Sequence, residues 1–173
     1  MILEERYVVM EIEKKFKVKQ LPDNLEQYDK KVIEQGYLCT NPIVRIRRSN
    51  EDYILTYKSK FGLEDKQNKD TCICNEVEVP LNESGYEHLK KKVDNHVISK
   101  ERYIIPLSMG LKAELDIFQE QLQGLCFVEV EFPDEESAHQ FKPPEWFGED
   151  VSADRRYKNN YLATLDRYQE EIF

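Results

Sequence analysis

Alternation of charge with hydrocarbon constrains this chain more than any other feature. In Met10-Glu11-Ile12-Glu13-Lys14-Lys15-Phe16-Lys17-Val18 the even positions carry most of the apolar groups and the odd positions carry charge. A period of two belongs to a β-strand, whose successive side chains leave opposite faces. Comparable segments recur at 32–39, 43–48, 53–60, 71–79, 97–105, 112–118 and 126–132, giving eight predicted strands with Gly, Pro, Asn or Asp between several of them. The spacing predicts a helix over about 83–93, capped by Asn82. A second, short helix opens at Pro133-Asp134-Glu135-Glu136 and stops before Pro143-Pro144, and a third covers about 159–168. Residues 61–70 read as a charged, mobile loop.

Short antiparallel strands at this density predict a barrel or a sandwich. No βαβ repeat is visible, and neither the Gly-x-Gly-x-x-Gly nor the Gly-x-x-x-x-Gly-Lys-Ser/Thr fingerprint occurs, which argues against doubly wound and P-loop nucleotide enzymes. At 173 residues the chain is one domain, residues 1–173, long enough to bury a core. Ten tyrosines and eight phenylalanines argue against disorder. The net charge of -9 argues against a broad nucleic-acid footprint, yet permits a small anionic ligand in a locally basic cavity. No apolar run approaches the roughly 20 residues that cross a bilayer, and the start has no secretory pattern. Cys39, Cys72, Cys74 and Cys126 lack metal-site spacing and read as reduced thiols of a cytoplasmic protein.

The charged faces are unusual in being of one sign. Glu11/Glu13, Arg45/Arg47, Lys58/Lys60, Glu76/Glu78, Lys100/Arg102, Glu114/Asp116 and Glu129/Glu131 each stand at i and i+2, on one side of a strand. Amphipathic strands with charge toward water account for any single pair. Like charges so placed repel, however, and seven such pairs make sense where local field strength is needed. Alternation alone leaves open which face points inward. With the charged faces inward, an eight-stranded barrel has room for one small ligand. Lys and Arg would hold phosphoryl oxygens, while carboxylates repel phosphate unless divalent cations bridge the two.

Those same residues carry a resemblance. Glu11-Ile12-Glu13-Lys14-Lys15-Phe16 is similar to the Glu-x-Glu-x-Lys signature of the triphosphate tunnel metalloenzymes, the CYTH superfamily. The likeness continues through Gln35-Gly36-Tyr37-Leu38, Arg45-x-Arg47, Leu55-Thr56-Tyr57-Lys58, Glu76-x-Glu78, Lys100-x-Arg102, Leu115-Asp116 and Val128-Glu129-Val130-Glu131-Phe132. Trp146-Phe147-Gly148-Glu149-Asp150-Val151 and Asp154-Arg155-Arg156-Tyr157-Lys158-Asn159 resemble the closing segment of small bacterial members, so the ordered set spans about 9–165.

The resemblance implies an α+β fold: an eight-stranded antiparallel closed β-barrel, or tunnel, with flanking helices and charged residues lining its lumen. It implies a cytoplasmic, Mg²⁺- or Mn²⁺-dependent enzyme acting on a small triphosphate, with no nucleic-acid or membrane partner and a homodimer in some relatives. By likeness Lys15, Arg45, Arg47, Lys58, Lys100, Arg102, Arg156 and Lys158 hold the substrate; Glu11, Glu13, Asp116, Glu129 and Glu131 place the metals. Glu11, Glu13, Lys15, Asp116 and Glu129 form the catalytic set, and Tyr37, Glu76 and Glu78 orient the others. Water would attack a terminal phosphoryl group in line. Inorganic triphosphate is the first-choice substrate, because no base-recognition element is visible. Thiamine triphosphate or a nucleoside triphosphate comes next, then an adenylate-cyclase activity or a non-catalytic polyphosphate-binding module.

Overall fold

The computed structural model describes residues 8–61 and 72–170. The side chains of residues 8–11 and 72–74, and the predicted loop beyond Phe61, lie outside the described residues. Nine strands form one antiparallel sheet: β1 (Val8–Val18), β2 (Asp29–Thr40), β3 (Ile43–Ser49), β4 (Asp52–Ser59), β5 (Cys72–Pro80), β6 (Ile98–Pro106), β7 (Lys112–Phe118), β8 (Cys126–Phe132) and β9 (Phe147–Asp150). Their order is β5-β4-β3-β2-β6-β7-β8-β1-β9. The first residues of β1 also pair with β5, Val8 opposite Asn75 and Glu11 opposite Cys72. The expected count of eight is thus corrected to nine. β9 has four residues and adds to β1 through Phe16↔Asp150 and Val18↔Phe147. Only Phe147 of its residues is buried, so no alternation marked it as a strand.

Three short helices flank the sheet: α1 (Glu83–Lys90), α2 (Glu135–Gln140) and α3 (Asn159–Leu162). The Asn82 side chain caps α1 by accepting from the Gly85 N–H at 2.8 Å, and Asp134 caps α2 from Ser137 at 2.7 Å. α1 stops short of residue 93 because the Lys92 N–H donates to the Leu89 carbonyl, tightening the chain into a turn. α3 likewise ends at Leu162, not Tyr168. The Thr164 and Leu165 N–H groups bond three residues back, and the Tyr168 N–H donates to Gln121 at 2.7 Å. None of the described helices is long and apolar enough to cross a membrane.

The core resolves the question that alternation left open. Ile12, Phe16, Leu115, Val128, Val130 and Phe132 bury their apolar strand faces against Ala138 of α2 and Phe147 of β9. The charged faces of the same strands therefore turn the other way, toward one another. That inner side is not charged throughout. Ile98 shares a face with Lys100 and Arg102, Phe118 with Asp116, and Phe127 with Glu129. These three side chains pack with Tyr37, Leu122, Leu125, Val151, Tyr157 and Leu162 into an apolar plug. Among the described residues Tyr57, Val77 and Val79 are 37%, 52% and 47% exposed on β4 and β5.

Gly36 has a steric reason to be glycine. A Cβ built there meets Val93 Cγ1 at 2.5 Å and Val93 Cβ at 3.2 Å, and β-branched Val93 has little freedom to turn away. The next carbonyl, Tyr37, accepts from the Asp94 N–H at 2.9 Å, so strand and connection are held close. Gly36→Ala is expected to cost ~1–3 kcal/mol by overpacking, read from the midpoint of urea unfolding.

Candidate active site

Facing strands bring the like-charged pairs around one cavity of about 950 Å³. On one wall Arg45 and Arg47 of β3 stand beside Lys58 of β4, with Lys60 following. On the facing wall stand Glu13 and Lys15 of β1, Glu129 and Glu131 of β8, and Glu114 of β7. Glu76 and Glu78 of β5 complete the lining with Tyr37, Arg102 and Lys158.

The basic wall is organised by cross-strand rows. Arg45, Thr56 and Glu78 lie opposite one another on β3, β4 and β5. Arg45 Nη2 donates to Thr56 Oγ1 at 3.0 Å, and the Thr56 hydroxyl donates to Glu78 Oε1 at 3.1 Å. Lys58 pairs with its opposite neighbour Glu76 at 3.1 Å. Glu76 and Glu78 thus stand against the cations Lys58 and Arg45. Arg47 differs from both. Among the described residues it has no hydrogen bond or ion pair, and its Nε is buried without a partner. Burial, with Arg45 and Arg102 nearby, brings its pKa down to about 10, still charged at neutral pH. Opposite it on β2 stands Gln35, fully buried, whose Nε2 donates to the Tyr37 hydroxyl at 3.3 Å and whose Oε1 has no partner.

The acidic wall is a dense ion-pair network. Lys15 Nζ lies 2.8 Å from Glu129 Oε1, donates to the Tyr157 carbonyl at 2.7 Å, and sits 4.4 Å over the Phe127 ring. Arg102 reaches three carboxylates: Asp116, through Nε at 2.6 Å and Nη2 at 2.7 Å; Glu129, through Nη2 at 2.6 Å; and Glu114, through Nη1. Lys100 Nζ lies 2.5 Å from Asp116 Oδ2. Burial alone would raise the Glu129 pKa, but Lys15, Arg102 and Lys100 reverse this and hold the carboxyl well below its usual range. Burial opposes the charge on Arg102 too, and Asp116, Glu129 and Glu114 more than compensate, holding it well above the usual value. Burial dominates at Lys100, bringing its ammonium down to about 8 despite Asp116.

Most of the predicted site residues therefore converge. Lys100 and Asp116 join the network but not the lining; at 2% and 0% exposed they lie beneath Arg102. Arg156 is not brought to the cavity. It is exposed and turned back on Asp154, Nε to Oδ1 at 3.0 Å, in the turn that Asp154 caps. Lys158, two residues on, does reach the lining. The Glu11 side chain lies outside the described residues. Sequence reasoning missed Gln35, as well as Thr56, Asn159 and Asn160, because neutral side chains on an inward face leave no charge pattern. The Gln35-Gly36-Tyr37-Leu38 motif points to Tyr37 and not to Gln35.

The carboxylates in the lining are of the donor type that a hard divalent cation takes. Glu13 stands directly opposite Glu131, and Glu114 opposite Glu129. Carboxylate oxygens are what Mg²⁺ and Mn²⁺ take. Among the described residues no group of three His, Cys, Asp or Glu is already arranged to hold a metal ion. Lys15, Lys100 and Arg102 take oxygens of Glu129, Asp116 and Glu114 instead.

No family model matches the chain. It is 37% identical over 156 residues to an inorganic triphosphatase of Nitrosomonas europaea, covering 88% of this chain and 96% of that protein. It is 35% identical over 157 residues to an inorganic triphosphatase of Acetivibrio thermocellus, covering 88% and 92%. Its fold matches the crystal structure of the inorganic triphosphatase NE1496 with a TM-score of 0.67 and 36% identity, over 90% of this chain and 95% of that one.

Proposed function

Because the chain belongs to the inorganic triphosphatases of the triphosphate tunnel metalloenzyme (CYTH) superfamily, we propose that it hydrolyses tripolyphosphate to diphosphate and phosphate with the aid of Mg²⁺ or Mn²⁺. The reaction takes place in a tunnel into which the sheet curls, β1 meeting both β5 and β8. The observation that carries this reading is Arg47: a charged guanidinium on the cavity wall that makes no hydrogen bond or ion pair among the described residues, Glu78 acting on it only at a distance. Leaving such a group unpaired is costly unless an anion completes it.

Arg45, Arg47 and Lys58 hold the phosphoryl oxygens, the arginines by their planar forks and the lysine as a point charge. Lys158 neutralises charge at the rim. Glu13 and Glu131, with Glu11, Asp116 and Glu129, would hold the divalent cation, which would supply charge neutralisation at the reacting phosphorus and lower the pKa of the attacking water. Fixed positive side chains that already point at the cavity stabilise charge as it moves onto the leaving diphosphate, with little reorganisation. An inorganic substrate is favoured over an organic triphosphate by the lining. Tyr37 is the single aromatic ring among its described residues, and at 5% exposed it offers no open platform for a base or a thiamine ring.

Phosphate release from tripolyphosphate, thiamine triphosphate, ATP and longer polyphosphate, with Mg²⁺ and Mn²⁺ separately, tests this. The highest kcat/KM is expected on tripolyphosphate, with no cyclic nucleotide formed from ATP. Tight tripolyphosphate binding with background turnover would make the protein a binding module instead.

A further inference from the structure

The donor count of Arg102 is nearly exhausted before any substrate arrives. A guanidinium has five N–H groups. Nε–H and one Nη2–H of Arg102 go to Asp116, the other Nη2–H goes to Glu129, and one Nη1–H goes to Glu114. A single N–H remains for a phosphoryl oxygen. Arg102 nevertheless lines the same cavity as Arg45, Arg47 and Lys58, where an anionic substrate would meet it. To grip phosphate it must let go of carboxylates.

Letting go is unfavourable by itself. Asp116 and Glu129 are 0% and 8% exposed, and Glu114 stands directly opposite Glu129. Three carboxylates here are balanced by three cations, Lys15, Lys100 and Arg102. Withdrawing Arg102 strands negative charge where little water screens it. A second cation entering the same oxygens removes that penalty.

We propose that Arg102 is the resident counter-ion of this carboxylate floor, displaced when a divalent cation binds and thereby freed to hold the substrate. This rests on the reading of the cavity as a divalent-cation site, and adds that metal and phosphate binding are coupled through one side chain. The coupling is reciprocal: phosphate that draws Arg102 away also sharpens the floor for metal.

The test is Mn²⁺ binding to the whole protein without phosphate, followed by the electron paramagnetic resonance of free Mn²⁺. Arg102→Gln is expected to bind Mn²⁺ about ten-fold tighter than wild type or more, because a competing cation is gone. Arg102→Lys, which keeps the charge but cannot bridge three carboxylates, should fall between them. In thermal unfolding, Mn²⁺ should raise the melting temperature of Arg102→Gln more than that of wild type, a difference that lost packing alone does not produce. Equal or weaker Mn²⁺ binding by both variants overturns the proposal while leaving the metal reading intact. Absence of Mn²⁺ binding in all three proteins overturns both. Should Arg102→Gln fail to fold, Arg102→Lys decides alone: tighter than wild type supports the exchange, equal or weaker refutes it.

Discussion

Glu13→Gln is expected to lower kcat for tripolyphosphate by more than ~100-fold at a Mg²⁺ concentration that saturates the wild type, with the fold retained. The two side chains have nearly the same shape, so the change isolates charge. Glu13 is exposed to the cavity and directly opposite Glu131, and Lys15 on the same face is already engaged with Glu129. An amide in its place still offers an oxygen, but halves the negative charge of the opposed pair and weakens its hold on a divalent cation. Steady-state phosphate release across a Mg²⁺ titration measures the effect, and circular dichroism confirms the fold. If the defect is one of metal capture, excess Mg²⁺ or Mn²⁺ should recover part of it. Turnover at the wild-type level would remove Glu13 from the machinery. A loss confined to KM would move it to substrate binding.

How far this site was legible in the sequence follows from what side-chain period reports. A period of two states that Glu129 and Glu131 share a face with each other and oppose Val128 and Val130, and β8 obeys it: the valines enter the core and the glutamates line the cavity. It does not report depth. Lys100 and Arg102 look equivalent in sequence, yet Lys100 is sealed below the cavity with its ammonium 5.4 Å from the Phe118 ring, and only Arg102 reaches the lining. What decides between them is the apolar plug, assembled from Phe118, Phe127, Tyr157 and Leu162, residues far apart in the chain. Inward orientation was likewise underdetermined. It is set by α2 and β9 covering the apolar faces, a tertiary fact. Arg156 illustrates the opposite failure: a local capping contact with Asp154 turns the side chain outward, and a motif match carries no information about such a contact.

The same plug explains how the C-terminal segment enters the site. The Lys15 N–H donates to Ser152 Oγ at 2.9 Å, the Val151 N–H donates to the Lys15 carbonyl at 2.8 Å, and Lys15 Nζ donates to the Tyr157 carbonyl. One residue of β1 therefore clips the segment that delivers Lys158 to the lining. The Glu-x-Glu-x-Lys signature is thus a structural latch as well as a set of charges.

Lys15→Met is accordingly expected to be the most destabilising of these substitutions, by ~3–5 kcal/mol. Methionine fills much the same volume, and the two backbone bonds to Ser152 and Val151 survive. What goes is the ammonium, which is 7% exposed with its residue and satisfies two buried acceptors at once. Glu129 would keep Arg102, but that guanidinium is shared with Asp116 and Glu114. The Tyr157 carbonyl would lose its lysine partner outright, at ~1–3 kcal/mol for a buried acceptor. Denaturant unfolding followed by fluorescence measures the loss. Adding Glu129→Leu should recover part of it, since no charge is then stranded opposite position 15, while the Tyr157 carbonyl remains without the ammonium and sets the floor of the recovery. A loss below about 1 kcal/mol for Lys15→Met would mean the ion pair is screened like a surface pair, and the latch would then rest on the backbone bonds alone.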